Sequence, residues 1–291
     1  MKRHSSEHSV GKMCKVLEAS RSGYYRWNLG IISKRTHRRK YISEEIKRVF
    51  YQSKETYGSP RITADLRQQG IQVSRKMTAK LMREMELKSK VKKKYKVTTN
   101  SSHRYAVAEN MLDRNFTVSR KNEVWVSDIS YIDTHEGWLY ITTVIDLFNR
   151  KIIGWAFSHT MHTTETSIVA FKMARTHQPI DSNKPLLFHS DRGIQYACDA
   201  FKKMLSQHTN VQQSMSRKGN CWDNAVAESF FKTLKTEHVY HYKYATRKQA
   251  AASIFEYIET WYNTKRRHSH LNNLSIFEYE QLINNNLKNV A

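Results

Sequence analysis

The chain has 291 residues, with 49 Lys and Arg against 26 Asp and Glu and a formal charge of +23, and its length suits about two domains with a sizeable core. Hydrophobic residues make up 39 %, with 16 Tyr, 11 Phe and 6 Trp, which excludes wholesale disorder. Three scattered cysteines, Cys14, Cys198 and Cys221, exclude a disulfide framework and a Cys-x-x-Cys zinc motif, and with no apolar run of membrane-spanning length a cytoplasmic, soluble protein with no membrane partner is expected.

The basic charge is concentrated. Residues 1–120 hold 29 Lys and Arg against 10 Asp and Glu, whereas residues 121–291 hold 20 against 16. Such an excess favours a polyanion, because each neutralised phosphate releases condensed counterions. Nucleic acid is the preferred partner; a solvated basic face and acidic lipid are the alternatives.

Residues 10–27 predict a short helix, a turn and an aromatic segment. In the next stretch Ile42, Ile46, Val49 and Phe50 fall at helical spacing. Ile62 and Leu66 then mark a short amphipathic helix, Gly70 breaks it, and Ser74 can cap a second. That helix carries Met77, Leu81 and Met85 on one face and leaves Arg75, Lys76, Lys80 and Arg83 for solvent. It suits a helix-turn-helix whose second helix reads a DNA groove, with an ordinary helical hairpin as the alternative. The basic stretch that follows, including Lys92, Lys93 and Lys94, reads as a linker with phosphate contacts.

From residue 122 the apolar period changes to two. Three segments rich in Val, Ile, Thr, Tyr and Trp predict an antiparallel meander. A helix over Thr163–His177, a buried strand in PLLFHSDRG, a helix over Ala197–Gln207 and a strand in VQQSMS follow. Asp223 is expected to cap a helix running to Val239, and Thr246–Lys265 to form another. The alternation implies a mixed five-stranded α/β sheet with flanking helices, preceded by an all-α basic region. The expected divisions are 1–55, 56–120, 121–242 and 243–291.

Three acids stand out. Asp128 lies inside a strand on the side of Val126 and Ile132, where an ionised carboxylate needs compensation. Asp191 ends the apolar strand just before Gly193, at the carboxyl edge where α/β sheets place sites. Glu228 lies on the helix face opposite Val226, Phe230 and Leu234, flanked by Lys232 and Lys235. Three such carboxylates can hold two Mg²⁺ ions about 3.5–4 Å apart for in-line phosphoryl transfer, with the lysines on DNA phosphate. Each acid also has a structural alternative: a hydrogen-bonding group at Asp128, a loop cap at Asp191, an ion-pair partner of Lys232 at Glu228.

The segments WVSDISYI, VIDLFNRKIIGW, HSDRGIQY, SMSRKGNCWDNAVAESFFKTLKTE and YNTKRRHSHL closely resemble transposases of the insertion-sequence-three family, specifically their downstream-frame (OrfB) product. The resemblance runs from MCKVLEASRSGYYRW through YGSPRI to the C-terminal helices. It implies a retroviral-integrase-like, RNase H-like core whose acidic triad falls on Asp128, Asp191 and Glu228, with the family's basic residue on Lys235. It further implies Mg²⁺, with Mn²⁺ as an alternative, for 3′-end cleavage and strand transfer on terminal inverted repeats and target DNA. A homo-oligomer and the upstream-frame (OrfA) product are the implied protein partners, and the nucleoid of a bacterium the implied location. A regulator without catalysis and a nuclease without strand transfer are the rival readings.

The sequence also departs from the family. The interval between Asp191 and Glu228 is one residue longer than usual, and the loop around Gln207–Asn210 is the expected place for the addition. Asn272 and Ile276 replace the family's common Gly and Pro. Asp133 and Glu237 are expected at the surface, Asp146 at a strand end, and His189 as a hydrogen-bonding strand histidine. The run Lys265–His270, with Arg266 and Arg267, suits DNA-backbone contact, with a solvated helix end as its alternative.

Overall fold

A computed structural model of the protein describes residues 1–31, 33–90 and 105–288. Lys92, Lys93 and Lys94 lie outside the described residues. The chain divides into two compact units, residues 1–89 and 90–291.

The first unit is helical: α1 Val10–Val16, α2 Arg21–Asn28, α3 Lys34–Gln52, α4 Ser59–Gln68 and α5 Arg75–Glu84. Ser9, Ser20, Ser33 and Ser74 each cap a helix by accepting a bond from a backbone N–H of the first turn. The expected aromatic segment after the first turn is therefore the helix α2. Ile42, Ile46, Val49 and Phe50 of α3 are buried with Ile62 and Leu66 of α4. Gly70 adopts φ +81° and ends the α4 region as expected. The buried face of α5 is Thr78, Leu81 and Met82, with Met77 and Met85 only half-buried. The Thr63 and Thr78 hydroxyls, bonded at 3.0 Å between α4 and α5, draw that face slightly round from the expected one.

The second unit is built on a sheet of β1 Val124–Ile132, β2 Leu139–Asp146, β3 Ile152–Ser158, β4 Leu186–Ser190 and β5 Val211–Met215, ordered β3-β2-β1-β4-β5. The first three strands are antiparallel and β4 and β5 run parallel to β1, so the sheet is mixed. Alternation along β1 sends Val124 and Val126 into one apolar cluster and Trp125 into the other. The first cluster includes residues of α9 Ala225–Glu237, α10 Arg247–Glu256 and the π-helical turn Tyr257–Tyr262. The second is covered by α6 Ser167–His177, α7 Ile194–Ala197 and α8 Asp199–Leu205. A two-residue ladder, β6 Arg267–His268 with β7 Leu274–Ser275, leads into α11 Ile276–Lys288.

Several boundaries differ from expectation. Helix α6 begins at Ser167 because the preceding residues are engaged in a polar turn in which Glu165 accepts from Ser158 and Thr160. The expected 197–207 helix is the shorter α8, set off from the preceding turn α7 by Cys198, whose backbone is extended. Leu271 and Ile276 belong to the same apolar cluster as the strands, so residues beyond 242 complete this core instead of appending to it. Asn272, at φ +54°, adopts the left-handed geometry that Asn tolerates in place of Gly, and Ile276 is fully buried.

Candidate functional site

The register of β1 and β4 fixes the first two acids. Ser127 pairs with Ser190 across the parallel ladder, so Asp128 and Asp191, each one residue further, stand side by side at the carboxyl end of β4. Asp128 Oδ1 accepts from Ile129 N at 2.9 Å. Asp191 Oδ1 accepts from Gly193 N, also at 2.9 Å. A Cβ at Gly193 would sit 3.0 Å from that oxygen, so the glycine makes room for the carboxylate. Behind the pair, buried Tyr196 bonds Ser127 Oγ at 2.7 Å. Glu228 comes from the first turn of α9 and is exposed, with Ala227, Phe230, Phe231 and Leu234 buried in the core below.

The electrostatics tie these groups together. Burial raises the Asp128 pKa well above its ordinary value, and the charges of Asp191 and Glu228 push it further up. Glu228 is raised by desolvation and then by Asp191. Burial lowers the pKa of Lys235, and the Asp128 charge opposes that shift. Lys235 Nζ stands 4.8 Å from the centroid of the Tyr131 ring, which itself meets Trp138 edge-on at 4.8 Å. Lys232 is exposed one turn beyond Glu228. Among the described residues no three His, Cys, Asp or Glu side chains are drawn together into a ready-made metal cage. The donor set nonetheless fits a hard divalent cation: three carboxylates whose mutual repulsion a cation would relieve, with lysine instead of a soft ligand beside them.

Two family models described as Integrase core domain match residues 118–221 and 209–275, and one described as HTH-like domain matches residues 36–95. The Transposase InsF for insertion sequence IS3A of Escherichia coli (strain K12) is 38 % identical over 96 % of this chain and 96 % of its own length. The Insertion element IS600 uncharacterized 31 kDa protein of Shigella sonnei is 41 % identical over 90 % of this chain and 95 % of its own. The chain belongs to the insertion-sequence-three family of transposases. Among solved structures, the HTLV-2 integrase catalytic core domain in complex with magnesium aligns with a TM-score of 0.42 at 14 % identity, covering 54 % of this chain and 95 % of that one. The family's integrase core corresponds to the five-stranded sheet with its flanking helices, and its HTH-like domain to α3, α4 and α5.

Other expected site residues fall in two groups. Arg75, Lys76, Lys80 and Arg83 are all exposed on α5. Arg266 and Arg267 are not at the surface. Arg266 is 5 % exposed and its Nε and Nη2 bond Glu237 Oε2 and Oε1 at 2.8 and 2.7 Å. Arg267 Nη1 donates to Asn273 O at 2.9 Å. Both guanidinium groups are engaged inside the fold, and Glu237, expected at the surface, is the buried partner. His189 is a buried strand histidine, bonded to Ser214 Oγ at 2.8 Å, and burial lowers its pKa to about 4.

Asp223 takes a different role from the expected one. It does not cap α9, whose first turn follows Asn224 after a tight 3-10 turn. Instead its buried carboxylate accepts from Arg114 Nε at 2.8 Å and from the backbone and side chain of Arg217. The Arg217 hydrogen bond holds its pKa far below the carboxylate range despite opposing desolvation. An Asp before a helix ordinarily reads as a cap, and nothing local marked the distant Arg114 as its partner. Tyr131 and Tyr196 carry no signal of their own in the sequence beyond their places in WVSDISYI and HSDRGIQY.

Proposed function

We propose that this chain cleaves 3′ ends of insertion-sequence DNA and transfers them to target DNA, with Asp128, Asp191 and Glu228 as the catalytic carboxylates. The observation that carries this reading is the side-by-side placement of Asp128 and Asp191, with Glu228 acting on both electrostatically. The three carboxylates would hold divalent cations, Mg²⁺ or Mn²⁺, which when bound supply the positive charge that offsets negative charge at a reacting phosphodiester. Lys235, held against the Tyr131 ring, would anchor a DNA phosphate beside Asp128, and exposed Lys232 would hold its neighbour. In the first step water adds to phosphorus as the 3′ oxygen leaves and takes a proton. In the second, the freed 3′-OH forms a new bond to a target phosphorus, loses its proton to solvent, and displaces the target's own 3′ oxygen, which takes a proton from solvent.

The exposed row Arg75, Lys76, Lys80 and Arg83 is the proposed duplex contact of the HTH-like region. Synapsis of two ends calls for more than one copy of the chain, and the upstream-frame product is the proposed helper in recognising those ends. The division into a helical unit for binding and a sheet unit for chemistry is part of the same reading.

The test is a strand-joining assay with labelled element-end DNA, purified protein and Mg²⁺, run with wild type, Glu228→Gln and a fusion to the upstream frame. Joined product that disappears in Glu228→Gln and on chelation of the metal is expected. Cleavage without joining would replace the reading by a nuclease. Binding without chemistry, even by the fusion with Mn²⁺, would replace it by a regulator.

A further inference from the structure

The segment between β5 and α9 is an arch pinned at both ends beside the two aspartates. Ser216 N donates to Ser190 O at 2.9 Å, immediately before Asp191. At the other end Asn224 Nδ2 donates to Ser127 O at 3.0 Å, immediately before Asp128. Across the arch Arg217 N, Nε and Nη2 bond the Asp223 carboxylate at 2.9, 2.8 and 2.8 Å, and Asn110 Nδ2 reaches it at 2.9 Å. Asp223 is 0 % exposed and Asn224 3 %, yet the adjoining Trp222 is 69 % exposed.

A single exposed apolar residue is ordinary on a protein surface. Trp222 differs in what holds it. The next residue, Asp223, is held by Asn110, Arg114 and Arg217, and Asn224 is tied to Ser127 of β1, so the backbone that carries the ring is fixed. Exposed basic side chains are carried by the same stretch of chain, Lys218 on the arch and Lys232 on α9. A protein interface would call for a contiguous apolar patch, whereas a single exposed aromatic face on an arch pinned beside the two aspartates suits a nucleobase attached to a phosphate backbone.

We propose that Trp222 is a stacking site for an unpaired base of the DNA whose backbone is handled at Asp128, Asp191 and Glu228. This rests on the phosphoryl-transfer reading given above. The indole offers its face to any base, so the site fixes where the strand end lies without reading its sequence. Exposed Lys218 on the arch and Lys232 on α9 are the cations available to the phosphates of that strand.

The experiment uses the full chain carrying Glu228→Gln, so that DNA is bound and not consumed. The probes are an element-end duplex with a frayed terminal 2-aminopurine and a short single-stranded oligonucleotide containing the same base. Binding is expected to quench the 2-aminopurine, and Trp222→Phe to retain the quenching. Trp222→Ala should abolish it and weaken single-strand binding about tenfold, with the melting temperature unchanged. Equal binding and quenching by Trp222→Ala would overturn the stacking site. The same substitutions in the otherwise unaltered chain separate the two claims. Glu228-dependent joining at an undiminished rate in Trp222→Ala would remove the base site and leave the transposase reading standing. Trp222-dependent quenching in a protein that never joins DNA would do the reverse, leaving a single-strand binding site without the chemistry.

Discussion

Lys235 rests over the ring of Tyr131. The ammonium loses solvation on approaching Asp128, and the aromatic face 4.8 Å away restores part of what water would have given. Trp138 packs edge-on against Tyr131 and fixes the ring's tilt. Tyr131→Leu should therefore lower strand joining about three- to tenfold, the equivalent of roughly 0.7–1.4 kcal/mol of lost cation–π stabilisation. Tyr131→Phe should restore most of it, because the ring and not the hydroxyl does the holding. Joining rates at saturating DNA, with Lys235→Ala as the limiting case, check this; equal rates in Tyr131→Leu and wild type would remove Tyr131 from the site. Individual residues were unequally legible from sequence. Asp128 stood out because a period-two apolar strand makes a carboxylate on its inner side conspicuous, and Asp191 because it closes an apolar run. Arg266 did not, since a basic run has the same appearance whether it faces solvent or reaches a buried acid. Only the position of Glu237 on another element decides between them.

Among the elements, the β5–α9 arch and the β3–α6 contact carry the sharpest consequences. Asp223 has a depressed pKa in the folded protein, so its ion pairs contribute fully above the ordinary carboxylate pKa and are lost as pH falls through that range toward the folded value. Wild-type stability should thus decline on acidification below about pH 5, near the upper end of carboxylate titration. Asp223→Asn should be less stable at neutral pH by about 2 kcal/mol and show a shallower decline. Urea denaturation over a pH series measures both; parallel curves for the two proteins would show that Asp223 does not contribute. At Gly154 the backbone of β3 approaches α6 so closely that an added Cβ would lie 2.2 Å from Ala170 O and 2.7 Å from Ala174 N. Because those atoms are helix backbone, they cannot rotate aside. Gly154→Ala should cost about 3 kcal/mol, read as a lowered urea midpoint with the slope retained. Strands were legible because alternation survives at sequence level, but helix starts were not. The turn before α6 satisfies its Thr and Glu side chains locally, and the turn before α9 serves Arg114, a partner far away in sequence, as well as nearby Arg217.

At the scale of the molecule, the sheet unit depends on its C-terminal residues. Ala250, Ile254, Tyr257, Ile258, Tyr262, Leu271 and Ile276 share one buried cluster with Val126, Ile141 and the inner face of α9. Asn263 further closes the edge of β3, donating to Ile152 O and accepting from Ile152 N, both at 3.0 Å. A division at residue 242 would expose that apolar surface and leave Glu237, at the end of α9, without its guanidinium. The helix carrying Glu228 is therefore anchored from the far end of the chain by Arg266, with Tyr257 OH as a second donor to Glu237 at 3.1 Å. Removing one member of a buried pair strands the other charge, so Arg266→Ala should lose about 3–5 kcal/mol. The double variant Glu237→Gln with Arg266→Met removes both charges and should recover a substantial part of that loss, a coupling readable in a double-mutant cycle. Surface DNA contact by Arg266 would predict the opposite pattern: near-wild-type stability in Arg266→Ala, with DNA affinity reduced and more weakly dependent on salt. Urea denaturation of the two variants and their salt-dependent DNA binding separate these outcomes, and the buried bidentate geometry commits this protein to the first.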